Sequence, residues 1–171
     1  GGLNKFDFTN SGVQTQSLET VIDTKKLFDN IQLFWTGIER SADDILNSVN
    51  LTDPSNEKKI KSIVEDCESF FKIIQKSKID NFEILGKLLD KSWQTKKSLS
   101  SKISNKIIDE TYHIAKKFGS IGGKIAGAGG GGFLLLITPS DKKKQVANKI
   151  SNLELIPINY EPYGSRVILN I

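Results

Sequence analysis

Hydrophobic positions change their spacing several times along this chain, and each change predicts a different element. Leu3, Phe6, Phe8, Val13 and Leu18 alternate weakly around Asn10-Ser11-Gly12. That pattern predicts two short strands joined by a turn. The run 31–36 is rich in large apolar residues and stops at Gly37, which predicts a third strand. Ser41-Ala-Asp-Asp then opens a short helix with Ala42, Ile45, Leu46 and Val49 on one face. Its early carboxylates suit a helix amino terminus. A turn at Asp53-Pro54-Ser55-Asn56 precedes a long helix. Along it Ile60, Ile63, Val64, Cys67, Phe70, Phe71 and Ile74 recur at the helical period. A second helix is predicted over 81–97, with Phe82, Leu85, Leu88, Leu89 and Trp93 inward. A third covers 105–118, with Ile107, Ile108, Tyr112, Ala115 and Phe118.

The character then changes. Seven of the chain's 14 glycines fall between Gly122 and Gly132. Phe133-Leu-Leu-Leu-Ile follows as a buried-type strand ending at Pro139. Ser140-Asp-Lys-Lys reads as a capped helix start, with Val146, Ala147 and Ile150 facing inward. Two closing strands are predicted over 153–160 and 166–171, joined by a turn at Pro162 and Gly164. Strands and helices are plentiful without strict alternation. The fold class is therefore α+β, an antiparallel sheet with helices mainly on one face. No internal repeat or flexible linker divides the chain, so residues 1–171 are read as one domain.

Composition narrows the function. The charged fraction of 26% and hydrophobic fraction of 37% suit a globular protein. The longest aliphatic and aromatic run, 133–137, is far shorter than the about 20 residues needed to cross a bilayer. The start shows no signal-peptide pattern. Cys67 is the single cysteine and has no partner for an internal disulfide, which fits a reducing cytoplasm. With one cysteine and one histidine, His113, no zinc site is expected. The net charge of +4 could reflect phosphorylated ligands, but the lysines are scattered along amphipathic segments as solvated faces would require. The strand aromatics do not follow the paired pattern of RNA-binding sheets, so no nucleic-acid partner is expected.

The glycine stretch is the most informative segment. Ordering so many glycines costs entropy, and something must offset it. Gly127-Ala-Gly129-Gly-Gly-Gly132 satisfies G-x-G-x-x-G literally. In a dinucleotide fold that motif follows a strand and opens a helix. Here a helix precedes and a strand follows, so that reading fails. Gly123-Lys124 resembles the end of a Walker loop, but Ile125 stands where a magnesium-binding Ser or Thr belongs. Close strand packing and close approach to a ligand both remain open for this loop.

The segment 122–136 resembles the third conserved motif of the GHMP kinase superfamily (galactokinase, homoserine kinase, mevalonate kinase and phosphomevalonate kinase), near its carboxy terminus. Two more segments, 33–46 and 92–103, resemble the heptose-phosphate kinase branch, as does Tyr163-Gly-Ser-Arg-Val-Ile. Fucokinase-type relatives share parts of it. The resemblance implies a ferredoxin-like carboxy-terminal domain. It implies transfer of the ATP γ-phosphoryl group to a sugar or sugar-phosphate hydroxyl, with a heptose phosphate as the acceptor. In the family the ATP-phosphate loop, the magnesium-binding acid and the acid near the acceptor lie in an amino-terminal domain. None of these matches here, so no catalytic or metal-binding residue is assigned to this chain. ATP and Mg2+ are expected for a longer parent whose amino-terminal kinase domain partners this one. A ligand-binding or regulatory domain of the same fold without catalysis is the alternative.

Candidate site residues follow. Gly127, Ala128, Gly129, Gly130, Gly131 and Gly132 are expected to line the active cleft near phosphate. Arg40 could bind a sugar phosphate bidentately, or pair with Asp43 or Asp44 at the surface. Thr36 and Gly37 could border the sugar, or form an ordinary turn. Lys124 could approach phosphate, or simply be exposed. Lys96, Lys97 and Lys102 form a basic cluster that could attract a phosphorylated substrate but is better read as a solvated helix end. Trp35 and Trp93 could be sugar-stacking platforms but are better read as core, and Cys67 is expected in the core.

Overall fold

The computed structural model describes residues 1–76 and 82–165. The chain runs β1 (Asn4–Thr9), β2 (Gly12–Ser17), α1 (Thr24–Asp29), β3 (Ile31–Trp35), α2 (Ala42–Leu46) and α3 (Pro54–Lys76). It continues with α4 (Phe82–Lys97), α5 (Lys106–Lys117), β4 (Gly122–Ile125), β5 (Phe133–Ile137), α6 (Lys143–Lys149) and β6 (Glu154–Ile156). Four strands form one sheet in the order β4-β5-β3-β6, with every neighbour antiparallel. From β3 onward the succession of strand, helices, strand, strand, helix and strand gives the ferredoxin-like arrangement. The expected α+β class and fold are both found. Of the two expected closing strands, the first is only Glu154–Ile156. The second, over 166–171, lies outside the described residues, as does the expected start of the second long helix at Asn81.

The side-chain period of two in β5 sends neighbours to opposite faces. Leu134 and Leu136 enter the larger core with Phe34, Trp93, Ile108, Ala115 and Val146. Ile137 and Leu135 face Leu27, Ile31, Leu85 and Leu89. Helix α4 thus supplies side chains to both clusters. It can do so because it meets edge strand β4 at very short range. A Cβ on Gly122 would lie 2.0 Å from the Gly86 carbonyl oxygen of α4. Glycine there is a packing requirement.

A short polar network reinforces the same contact. Tyr112 donates to Asp90 at 2.7 Å, and Lys116 donates to the other carboxylate oxygen at 2.8 Å. Burial pushes the Asp90 carboxyl up, but hydrogen bonds from Lys116, Tyr112 and Gln94 outweigh it and hold the group below its ordinary value. Burial and the Asp90 hydrogen bond push the Tyr112 phenol well up. A carboxylate with a depressed folded-state pKa stabilises the fold above its unfolded value and loses that contribution as pH falls through the folded value. Asp90→Asn is therefore expected to lower stability at pH 7. The gap from wild type should close below about pH 4, near the unfolded carboxylate pKa. Urea unfolding at the two pH values measures it, and a gap that widens in acid would contradict the assignment.

Among the described residues, strands β1 and β2 pair with each other alone, with Phe6 opposite Thr15 and Phe8 opposite Val13. Lys5 ties the hairpin to α3 through Glu68 at 2.9 Å and the Phe71 ring at 4.7 Å. Cys67 is exposed, not core. The apolar stripe of α3 is broader than the surface α4 covers, and Val64 beside it is also exposed. Helix α6 begins with Lys142 at its cap position and no side-chain cap, so Ser140 does not cap it as expected.

Candidate functional site

Segment 126–132 links β4 to β5, and a set of hydrogen bonds shapes it. The Ala126 N–H donates to the Phe133 carbonyl at 2.8 Å, closing its base. The Gly132 N–H donates to the Ile38 carbonyl at 2.8 Å, and the Gly130 N–H to the Ile103 carbonyl at 2.7 Å. The Thr36 backbone N–H and hydroxyl both donate to the Gly132 carbonyl, at 2.9 and 2.8 Å. Asn105 Nδ2 donates to the Gly130 carbonyl at 3.3 Å. Contacts are close enough to exclude side chains: a Cβ on Gly131 would sit 2.3 Å from the Ile38 carbonyl oxygen. The middle of the loop, Gly129 to Gly131, is buried, whereas Ala126 and Gly127 are exposed. Among the described residues, the N–H groups of Gly127, Ala128, Gly129 and Gly131 have no acceptor. Such backbone donors suit anionic oxygens.

The loop forms one wall of an open groove. One lobe, about 450 Å³, is lined by Trp35, Ile38, Arg40, Ala126, Ala128 and Gly132, among others. A second lobe, about 480 Å³, is lined by Arg40, Asp44, Ser101, Lys102, Asn105 and Gly130, among others. Arg40 borders both. The local sequence explains its position: β3 ends at Trp35, Gly37 turns the chain with φ +70, and the Ser41 hydroxyl caps α2 by accepting from Asp44 N–H. Arg40 lies on the short bridge between these two events. Among the described residues, it makes no ion pair with Asp43 or Asp44.

The structure gathers most of the expected residues. Ala128, Gly129, Gly130, Gly131, Gly132 and Arg40 border the groove, whereas Gly127 is exposed and lines neither lobe. Thr36 is buried and its hydroxyl is committed to Gly132 and to the Ile38 N–H, so its part is to hold the loop. Gly37 is exposed at the turn beside it. Lys124 is not brought to this groove; it borders a separate depression between α3 and α4, with Asp66, Phe70 and Leu88. Strand alternation puts it there, because Ile125 takes the core-facing position next to it. Trp93 is in the core, but Trp35 is only half-buried and lines the groove against Phe133, with ring centroids 4.9 Å apart.

Two lysines of the basic cluster also reach the loop or its groove. Lys102 faces the second lobe, while Lys97 is tied to Asp109 at 2.8 Å. Lys96 is half-buried, and its ammonium donates to the Gly127 carbonyl. Burial, together with the nearby Lys124 charge, pulls Lys96 down to about 8. The unfolded lysine therefore holds its proton to higher pH than the folded one. Folding with a charged Lys96 is penalised fully below about pH 8, and the penalty fades as pH rises through that value. Lys96→Met is thus expected to raise stability near pH 7, with an advantage that shrinks towards pH 10. Thermal unfolding across that range measures it; a constant difference would refute the assignment.

Comparison with known proteins gives concordant results. Residues 73–154 match the sequence model of the family described as GHMP kinases C terminal. The chain is 29% identical over 148 residues to the D-glycero-alpha-D-manno-heptose 7-phosphate kinase of Campylobacter jejuni, covering 84% of this chain and 42% of that protein. Its fold is similar to the mevalonate kinase of Methanococcus jannaschii, with TM-score 0.67 at 21% identity, covering 84% of this chain and 43% of the other. It is also similar to a D-glycero-D-manno-heptose 1-phosphate kinase from Bacteriodes thetaiotaomicron, with TM-score 0.52 at 18% identity, covering 92% and 42%. The chain thus spans less than half the length of each of these relatives. Residues 73–154 thus match the GHMP kinase C-terminal model, and the fold over most of the chain is similar to that of the mevalonate kinase.

Proposed function

We propose that this chain is the acceptor side of an ATP-dependent sugar kinase, and that it works with an amino-terminal kinase half to phosphorylate a sugar phosphate, with a heptose phosphate as the preferred acceptor. The observation that carries this reading is the groove wall itself. Three N–H groups without acceptors among the described residues, those of Ala128, Gly129 and Gly131, belong to residues that line the same depression as Arg40. Phosphoryl transfer needs little covalent help from the protein; it depends on positioning and charge neutralisation. Backbone donors and a guanidinium suit phosphate oxygens. The exposed part of Trp35 offers an apolar plane to the carbon face of a sugar. Similarity to the Campylobacter jejuni heptose 7-phosphate kinase supports the choice of acceptor.

ATP with Mg2+ would supply the γ-phosphoryl group and neutralise its charge. The donor set of this loop fits the phosphates. Mg2+ prefers carboxylate and phosphate oxygens. Among the described residues, no three metal-binding side chains gather to hold it. Its protein ligands are therefore placed by this proposal on the amino-terminal half. A panel of sugars and sugar phosphates, assayed for ADP release with the full-length protein, tests the reading. Turnover is expected with a heptose phosphate. Absence of ATP-dependent transfer to every sugar tested, with retained ligand binding, would replace it by a non-catalytic role for the same groove.

A further inference from the structure

The loop is tied at both ends and nearly free between them. The Ala126 N–H is bonded to the Phe133 carbonyl at one end, and the Gly130 N–H to the Ile103 carbonyl at the other. Among the described residues, a single hydrogen bond holds the stretch from Gly127 to Gly129, and it comes from a side chain. The Lys96 ammonium, in the last turn of α4, donates to the Gly127 carbonyl at 2.5 Å. A trans peptide is planar, and its carbonyl and the following N–H point in opposite directions. Drawing the Gly127 carbonyl towards α4 therefore turns the Ala128 N–H away from that helix. Ala128 lines the lobe that Arg40 and Trp35 border, and its N–H has no acceptor among the described residues.

The backbone sets this peptide plane only weakly. Gly127 is exposed at φ +75, with nothing within 4 Å of where a Cβ would stand, and glycine accepts a wide range of dihedrals. Nor does Lys96 serve stability, because burial and the Lys124 charge both penalise its ammonium in the folded chain. Its neighbour Lys97 is by contrast neutralised by Asp109 at 2.8 Å. Local features that cost stability belong where function needs them. We propose that Lys96 is a positioning residue: its bond to the Gly127 carbonyl fixes the 127–128 peptide plane so that the Ala128 N–H faces the groove as a donor to a phosphate oxygen. Lys96 acts through the loop and need not touch the ligand. Without it the plane tilts. A full reversal is resisted, because it would carry Ala128 to the positive φ that only glycines adopt in this chain's described residues. The donor is then misaimed, and binding is weakened, not abolished. That the phosphate belongs to a reacting ligand rests on the kinase reading; the orientation of the peptide does not.

Amide NMR on the full-length protein, isotope-labelled at alanine alone, tests this with inorganic pyrophosphate as the probe. The Ala128 amide proton is expected to move downfield as pyrophosphate is added. Lys96→Met should weaken the affinity read from that signal roughly 10-fold, the scale of one hydrogen bond to a charged group. Lys96→Arg keeps a cationic donor and should recover most of the loss. With a sugar acceptor, kcat should fall by a similar factor in Lys96→Met and recover in Lys96→Arg, although Lys96→Met is the more stable protein near pH 7. A purely structural role would move stability and kcat together. An Ala128 signal that ignores pyrophosphate in the wild type would overturn the proposal. So would an unchanged affinity in a Lys96→Met variant with a native circular dichroism spectrum. If the Ala128 signal responds as expected but no sugar is phosphorylated, the kinase reading fails and the positioning role stands. If sugars are phosphorylated but the Ala128 affinity ignores Lys96, the reverse holds.

Discussion

Gly122→Val is expected to destabilise the protein by about 3 kcal/mol or more, which is a large part of a typical domain's stability. The first atom of any side chain at this position would lie 2.0 Å from the Gly86 carbonyl oxygen and 2.9 Å from Asp90 Cβ. Neither neighbour is the free end of a flexible chain; one is helix backbone and the other the root of a side chain. To relieve the clash α4 must retreat from β4. That retreat loosens Trp93 in one core cluster and Leu85 and Leu89 in the other. It also separates Asp90 from Tyr112 and Lys116, whose hydrogen bonds cross the same seam. Thermal unfolding followed by circular dichroism should show a midpoint lowered by about 10 °C for a chain of this size. A fall of no more than about 2 °C would mean that the helix can shift at little cost.

The second large effect is expected in activity. Gly131→Ala should lower kcat of the proposed phosphoryl transfer, measured on the full-length protein, by about 100-fold, the scale on which a displacement of about 1 Å affects a positioned reaction. The added methyl would lie 2.3 Å from the Ile38 carbonyl, which also accepts the Gly132 N–H. The loop and the 36–38 segment must therefore part. Thr36 then loses its hold on Gly132, and Arg40, two residues past Ile38, moves relative to the loop. Global stability should change far less than in the Gly122 variant, because Gly131 borders a groove while Gly122 is clamped between a helix and a strand. Steady-state kinetics with the full-length protein, beside a thermal unfolding curve, separates the two effects. Retained kcat would remove the loop from the reaction.

The long, periodic helices were legible because their apolar stripes persist over several turns, as in 54–76 and 106–117. Strand β5 was legible from five consecutive large apolar residues. Two elements were not. Helix α1 spans only six residues, Thr24–Asp29, too few to display a period, although Asp23 caps it by accepting from Lys26 N–H. Strand β4 begins Gly-Gly, a sequence that reads as loop. Its pairing with β5 and its need to lie under α4 override that weak propensity. The loop and Arg40 could be singled out from sequence because unusual composition and charge mark them. The cluster of Lys96, Lys97 and Lys102 was visible in the sequence, but only the folded loop shows which of the three reach it. The two readings of Lys124 stayed open for a related reason: its place beside the glycines along the chain says nothing about which side of the strand it takes.

Asn105 has two engagements that draw on opposite ends of its amide. Its oxygen accepts from the Ile108 N–H at 3.1 Å and so begins α5, while its nitrogen donates to the Gly130 carbonyl. Ser, Thr and Asp begin helices about as well as Asn. Here they are not interchangeable. Aspartate keeps the oxygen but has no N–H to give, and the shorter Ser and Thr hydroxyls offer one group where two are in use. The usual choice of four residues at a helix start thus narrows to one, because the cap is also a rivet for the glycine wall.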